Sequence, residues 1–355
     1  MIIEAPRLSV IIPTLNEAAR LPGLLAALRS QRGVRLELIV ADGGSQDDTG
    51  RLARLAGVTL VETSRGRGRQ MNGAARQATA DFLLFLHADS VVDDPELLAR
   101  GLQALREAEG READRAPVAG HFRLGFLRNA PGHGMAYRYL EEKTAFNRPN
   151  TTNGDQGFLL RREFFWKLGG FDEDLPFLED QKLAEKIRQH GRWITLPGRL
   201  MTSARRFEVE GLHRRYILMA ITMGLFCTGV DSFFARTPDL YRSQADTGRL
   251  RLWPYFVVIW RMMRRDLGLL GSLAAWFRVG GYIRKNSWQM FYFFDIACRP
   301  WLGRKRYPFL IFHDKVLAPL LGFAVCDVVT GGLAFVWFML LLGPWFYLTD
   351  RATGN

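Results

Sequence analysis

Cysteine is scarce. The chain has three, Cys227, Cys298 and Cys326, far apart and at no metal-ligand spacing. An odd, scattered set argues against a disulfide framework or a zinc cluster and fits reduced thiols on a cytosolic face. A secretory leader is lacking too: "MIIEAPRLSVIIP" has an early Glu4, a very short apolar run and no cleavage site. No Gly-x-x-x-x-Gly-Lys-Ser/Thr loop occurs, and Gly66, Gly68 and Gly73 do not have dinucleotide-fingerprint spacing. Internal repeats and low-complexity tracts are absent. Acidic residues run short toward the C-terminus. Residues 211–355 carry 18 Lys/Arg against 8 Asp/Glu, whereas residues 1–210 carry 30 against 28. Of the net charge of +12, +10 (18 − 8) therefore belongs to a tail that is also rich in aromatics. Such a tail fits either nucleic acid or an anionic membrane surface.

With 355 residues and 48% hydrophobic content, the chain has material for two domains and a large core. Its first half alternates apolar runs with helical patterns. Strands are predicted at 8–13, 36–44, 58–63 and 82–89, and helices at 17–31, about 47–56, about 70–79 and 94–108. The apolar runs are continuous, as expected when helices cover both faces of a parallel sheet. Ligands then bind outside the C-terminal strand ends. Polar residues gather at three such ends: Pro13-Thr14-Leu15-Asn16-Glu17, Asp42-Gly43-Gly44-Ser45 and His87-Ala88-Asp89. Residues 118–207 read as further strands and short helices. A Pro/Gly/Arg-rich segment, 109–117, separates the halves.

From about residue 212 the texture changes. "VVTGGLAFVWFMLLLGPWFYL" (328–348) carries no charge. At ~1.5 Å per residue it is long enough for the roughly 30 Å hydrocarbon layer of a bilayer. Extended back to Val316, the stretch is interrupted only by Asp327. A tilted helix with an interfacial lead-in, a hairpin turning near Gly331-Gly332, and a buried core helix all remain open. The basic "GRKRYPFLIFHDK" (303–315) suits a cytoplasmic headgroup layer. "WPYFVVIWRMMRR" (253–265) and "NSWQMFYFFDIACRPWL" (286–302) read as interfacial helices or as ordinary packing.

Several residues carry candidate chemistry, each with a plainer alternative. Arg65, Arg67 and Arg69 stand beside a helix N-terminus, which suits a diphosphate; the alternative is a solvated basic loop. Asp89 can hold a divalent cation that in turn binds diphosphate oxygens, and Asp42 can bond a base or ribose. The alternative for both is a turn or N-cap carboxylate. Glu179 and Asp180 open an amphipathic helix, where the dipole alone favours acids; the functional reading is a general base. Asp155-Gln156, flanked by glycines, can line an acceptor pocket.

Seven motifs occur in order: "SVIIPTLNE", "LIVADGGSQDDT", "GRGRQMNGAA", "LLFLHADS", "GDQGFLLRR", "GGFDEDLPFLEDQKLAEKIR" and "TSARRF". Together they resemble the family-2 inverting glycosyltransferases of GT-A fold, closest to the rSAM/selenodomain-associated branch. The resemblance covers about residues 7–245. It implies that Pro13, Thr14, Asn16 and Glu17 sit by the base and ribose of a nucleotide-diphospho-sugar. Asp42 would contact the base, and Arg67 or Arg69 the base or diphosphate. Asp89 would ligate Mg²⁺ or Mn²⁺, in a triplet whose first position, His87, is an aspartate in the family at large. Asp180 would be the catalytic base with Glu179 beside it, and Arg205 and Arg206 would lie near the leaving diphosphate.

The expected architecture is α/β: a GT-A-like, Rossmann-type mixed sheet flanked by helices over residues 1–210. A helical extension (211–250) follows, then a basic aromatic helical region (251–355) with a transmembrane or re-entrant segment near 316–348. The expected function is transfer of a sugar from a nucleotide-diphospho-sugar to an acceptor, with a lipid or lipid-linked molecule the candidate, at the cytoplasmic face of the inner (plasma) membrane. Three competitors stand beside it: a catalytically silent scaffold of the same fold, favoured only by His87; a nucleotidyltransferase, which wants a Gly-rich signature after strand one; and a nucleic-acid binder, disfavoured by the apolar 328–348 run.

Overall fold

A computed structural model describes residues 5–110, 116–230, 233–234, 240, 248–303 and 306–352. Parts of three expectations lie outside the described residues: the N-terminal four residues, 111–115 of the separating segment, and Arg304 and Lys305 of the basic cluster. Much of 231–247 in the expected extension does so too. The chain divides into two units, residues 1–131 with 136–204, and residues 132–135 with 205–355.

The first unit is built on β1 (Arg7–Thr14), α1 (Leu21–Arg29), β2 (Arg35–Asp42), α2 (Thr49–Leu55), β3 (Thr59–Glu62), α3 (Arg67–Gln77), β4 (Phe82–Phe85), β5 (Ser90–Val91) and α4 (Leu97–Glu109). It continues through β6 (Val118–Leu127), α5 (Gly134–Lys143), β7 (Phe158–Arg161), α6 (Arg162–Lys167), α7 (Glu179–His190) and β8 (Arg192–Ser203). The strands form one eight-stranded sheet in the order β3-β2-β1-β4-β7-β6-β8-β5. β1, β2, β3 and β4 are parallel to one another, whereas β7 is antiparallel to both β4 and β6. A mixed sheet flanked by helices is the arrangement expected of a GT-A-like fold.

Both faces are dry, which is why the strand sequences do not alternate. On one side Leu8, Val10, Ile12 and Leu84 pack with Leu24 and Leu28 of α1 and Leu98, Leu102 and Leu105 of α4. On the other, Ile11, Ile39 and Phe85 pack with Met71 and Ala74 of α3, Phe165, and Leu183 and Ile187 of α7. Burying each such side chain contributes roughly 1.5–3 kcal/mol.

Three expectations need correction. The fourth strand ends at Phe85, not at Asp89, so His87 and Asp89 sit on a turn, closed by the Ser90 N–H to the His87 carbonyl (3.1 Å). Its antiparallel partner β7 begins at Phe158, opposite Phe85, so that pairing stops there, while on the other side the Leu86 N–H still bonds the Ile11 carbonyl of β1 (3.0 Å). Within 118–207, read as further strands and short helices, the separate apolar pieces "RWITLP" and "LMTS" belong to one strand, β8, carried through by Gly198 at φ +94°. Finally, there is no turn at Gly331-Gly332. The chain instead breaks at Leu321–Phe323, and residues 324–352 form one helix.

The second unit contains α8 (Arg205–Glu210), α9 (Leu212–Cys227), α10 (Trp253–Met262), α11 (Gly268–Lys285), α12 (Trp288–Ala297) and α13 (Ala324–Ala352). By length and composition α13 suffices to cross a membrane, and 11% of its most apolar stretch is buried.

Candidate active site

The register Thr14↔Asp42 aligns the ends of β1 and β2. Asp42 is committed to the turn that follows. Its Oδ2 accepts the Gly44 N–H (3.2 Å) and the Ser45 N–H (2.9 Å), and its Oδ1 accepts the Thr14 hydroxyl (3.2 Å) and that of Ser45. Gln70 ties the two strand ends together, donating to the carbonyls of Thr14 (2.7 Å) and Ala41 (2.9 Å). Asn16, at φ +56°, receives the Gln46 N–H on Oδ1 (2.8 Å) and gives its own N–H to Ser45 Oγ (2.9 Å). Pro13 is buried, and Glu17 pairs with Arg20 at 2.7 Å. Ser45, already part of the polar cluster at the end of β2, and Gln70, which sequence reasoning passed over, do much of this positioning.

Because β4 and β7 run antiparallel, the C-terminal end of β4 meets the turn before β7. That brings His87 onto residues 154–156. His87 Nδ1 donates to Asp155 Oδ1 at 2.7 Å, since a carboxylate can only accept. Burial disfavours the charged imidazole, but the bond to Asp155, with Asp155 and Asp89 nearby, raises its pKa above the ordinary value despite Arg67. The pair faces Asp180. A Cβ placed on Gly154 would stand 2.9 Å from His87 Nε2 and 3.2 Å from Asp180 Oδ2, so the two groups share one small volume.

Asp180 and Glu179 are aimed by a strained turn, with Leu178 at φ +67°, a conformation costly for a leucine. Asp180 accepts the Gly154 N–H (2.7 Å) and the Gln181 N–H (2.9 Å) and is 7% exposed. Glu179 is fully buried; its Oε1 pairs with Arg67 Nε, and its Oε2 has no hydrogen-bond partner. Arg67 Nη2 also lies 3.9 Å from Asp180 Oδ1. Burial opposes the Arg67 charge, but Glu179, Asp180 and Asp155 outweigh it and hold the guanidinium firmly protonated. Gly68 allows α3 to sit this deep: a Cβ there would stand 2.5 Å from the Asp172 carbonyl oxygen.

The first unit thus brings together Arg67, His87, Glu179 and Asp180, with Asp155 added where sequence reasoning had assigned an acceptor pocket. Asp89 is half-buried on the same turn as His87. Arg65 and Arg69 are exposed. Arg205 and Arg206 are exposed at the start of α8, in the other unit. Among the described residues no three His, Cys, Asp or Glu side chains converge as a metal cluster.

Residues 9–169 match the family model for Glycosyl transferase family 2. Within that stretch lie the β1, β2 and β4 ends, Arg67, His87, Asp89 and Asp155; Glu179 and Asp180 follow it. The chain is 38% identical over 114 residues to a PGL/p-HBAD biosynthesis glycosyltransferase of Mycobacterium bovis, covering 30% of this chain and 44% of that one. It is 28% identical over 191 residues to an uncharacterized glycosyltransferase of Mycobacterium tuberculosis, covering 50% and 68%. Among solved structures it is similar to mannosyltransferase PcManGT from Pyrobaculum calidifontis in complex with GDP-Man and Mn²⁺. That likeness has 20% identity, a TM-score of 0.47, and coverage of 94% of this chain and 88% of that one. The chain spans under half the length of the first of these relatives.

Proposed function

We propose that the protein is an inverting glycosyltransferase. It moves a sugar from a nucleotide-diphospho-sugar to an acceptor hydroxyl, on a lipid or lipid-linked molecule, at the cytoplasmic face of the membrane. The rSAM/selenodomain-associated branch is the finer family assignment. The observation that carries the reading is Asp180: a carboxylate at the start of α7, fixed by the Gly154 N–H, beside His87 and Arg67 and next to the family-2 domain's strand ends.

Asp180 takes the proton of the acceptor hydroxyl, and that oxygen attacks the anomeric carbon from the face opposite the departing diphosphate. General-base help of this kind is worth ~10²–10⁴-fold. Arg67 offsets negative charge at the strand ends, and so does Arg69 where it reaches the diphosphate. Asp42, Thr14 and Asn16 shape the loop against which a base and ribose would lie.

Asp89 would hold a divalent cation. It supplies one carboxylate, which suits Mg²⁺ or Mn²⁺ because these ions draw their remaining ligands from phosphate oxygens and water. Such an ion, when bound, offsets the charge that develops on the leaving diphosphate. The aromatic, basic second unit supports the membrane location and the lipid acceptor.

The test is a thermal-stabilisation screen of nucleotide-sugars with and without Mg²⁺ or Mn²⁺, followed by turnover of whichever donor binds. Asp180→Asn is expected to keep the stabilisation and lose turnover. Full activity in that variant refutes the base assignment. Donor binding with no hydrolysis or transfer by the natural chain would instead establish a catalytically silent scaffold.

A further inference from the structure

The membrane reading leaves open whether α13 crosses the bilayer or lies in it. Its two sides differ sharply. One packs on the unit's own helices: Gly331 meets α11, where a Cβ on Gly280 would stand 2.0 Å from the Asp327 carbonyl oxygen. Trp276 touches Phe335 (5.3 Å) and Phe338 (5.9 Å), and Phe256 of α10 stacks on Phe338 at 4.4 Å. The opposite side is bare hydrocarbon, including Val325, Val329, Leu333, Val336 and Leu340, each 46–67% exposed.

Each carboxylate at the ends of this helix is neutralised within the unit. Asp327 pairs with Arg284. Asp350 pairs with Arg214 and accepts the Leu252 and Trp253 N–H groups at 2.8 Å. Between them residues 328–349 carry no charge and measure roughly 33 Å at ~1.5 Å per residue. Length alone therefore fits a span.

The neighbours do not. Phe338 is the midpoint of 324–352, so in a spanning helix it sits at the bilayer centre. Phe256 and Trp276 touch it there. Arg261 lies five residues beyond Phe256, and Arg278 two beyond Trp276; both are exposed, as are Arg264 and Arg265 just after α10. Each charge held at that depth is disfavoured by roughly a hundredfold. Lying in the plane, the same arginines reach lipid phosphates by extending their stems, while the bare side of α13 meets acyl chains. On α11 the exposed stripe Leu269, Leu270, Leu273 and Phe277 repeats the pattern, with Arg278 at its end.

We propose that α13 lies within one leaflet, alongside α10 and α11, on an anionic lipid surface, and does not span the membrane. This rests on the membrane reading above and specifies its geometry. The excess of 18 basic over 8 acidic residues in 211–355 matches an anionic headgroup layer.

The experiment uses the full chain with Cys227, Cys298 and Cys326 replaced by serine, and a single new cysteine by Gly322→Cys or Arg351→Cys, just before and within the last turn of α13. Each variant is added to sealed vesicles of phosphatidylcholine with one quarter phosphatidylglycerol, then treated with a membrane-impermeant maleimide before and after detergent. Labelling of both positions from outside, with binding at least tenfold tighter than to pure phosphatidylcholine, is the expected result. Protection of one position until detergent is added means that α13 spans and overturns the proposal, leaving membrane association intact. Binding indifferent to phosphatidylglycerol also overturns it. A soluble dimer that ignores both vesicle types shows that a second copy covers this face, and then the membrane reading itself fails. The glycosyltransferase reading is unaffected by any of these results, because donor stabilisation is measured separately.

Discussion

Replacing Arg67 by methionine removes the counter-ion of a carboxylate that has no other partner. Glu179 is fully buried, its Oε1 meets only Arg67, and its Oε2 has no hydrogen bond. Stripping one member from a buried pair costs about 3–5 kcal/mol, because the remaining charge stays out of water uncompensated; with the Arg67 side chain 38% exposed, that is a ceiling here. For a unit of about 200 residues that corresponds to a melting-point drop of roughly 6–20 °C. An exposed pair makes the contrast. Arg51 and Asp48 are each 61% exposed, and Arg51→Met should leave stability close to that of the natural chain. The readout is urea-dependent hydrogen exchange at the β1 and β4 amides, which reports the first unit alone. Adding Glu179→Gln to Arg67→Met removes the stranded charge and should recover about half the loss or more. An Arg67→Met protein within ~1 kcal/mol of the natural one, or no recovery in the double variant, would refute the claim that Glu179 is held by Arg67.

Other expectations follow from single contacts. Gly154→Ala places a methyl 2.9 Å from His87 Nε2 and 3.2 Å from Asp180 Oδ2, so turnover should fall at least tenfold while exchange protection of the sheet is unchanged; wild-type turnover would show that these groups do not share the site. His121 is fully buried, and burial holds its pKa below the ordinary value. Its Nδ1 accepts the Gln156 amide at 2.8 Å, so a proton there sets donor against donor. The folded state therefore disfavours the proton. Stability should decline as pH falls below the unfolded value of ~6.5, and in His121→Gln that slope should vanish. Asp89→Ala should abolish any Mg²⁺ or Mn²⁺ dependence of nucleotide-sugar stabilisation, and equal metal response in the variant would remove Asp89 from the metal role.

Strand ends were legible because continuous apolar runs can stop for only a few reasons, and three of them stopped at polar clusters. Thr14 and Asp42 end β1 and β2 as that reasoning expected, His87 lies on the turn after β4, and Asp180 lies in the first turn of α7. What the pattern could not reveal is who faces whom. His87 and Asp155 are 68 residues apart, and Arg67 and Glu179 are 112 apart. Neither pairing follows from periodicity, because each depends on which strands are neighbours. β4 could have been expected to pair only with parallel partners. Its antiparallel pairing with β7 is what carries the 154–156 turn up to His87.

The same argument explains the two readings of Asp42 and of Gly331. A carboxylate after a strand serves a turn or a ligand equally well on paper. Ser45 and the Gly44 N–H show that Asp42 serves the turn here, and its contact with a base belongs to the proposal. A glycine pair in a long apolar run marks a bend or a close helix approach. Gly331 is the second, since a Cβ there would stand 2.4 Å from the Trp276 carbonyl oxygen. In each case local chemistry permits both outcomes; at Asp42 the turn contacts come from its near neighbours Gly44 and Ser45, whereas at Gly331 the contact comes from Trp276, far away in the chain. That is why the elements of this protein could be read from its sequence more readily than the contacts that give its candidate site its charge.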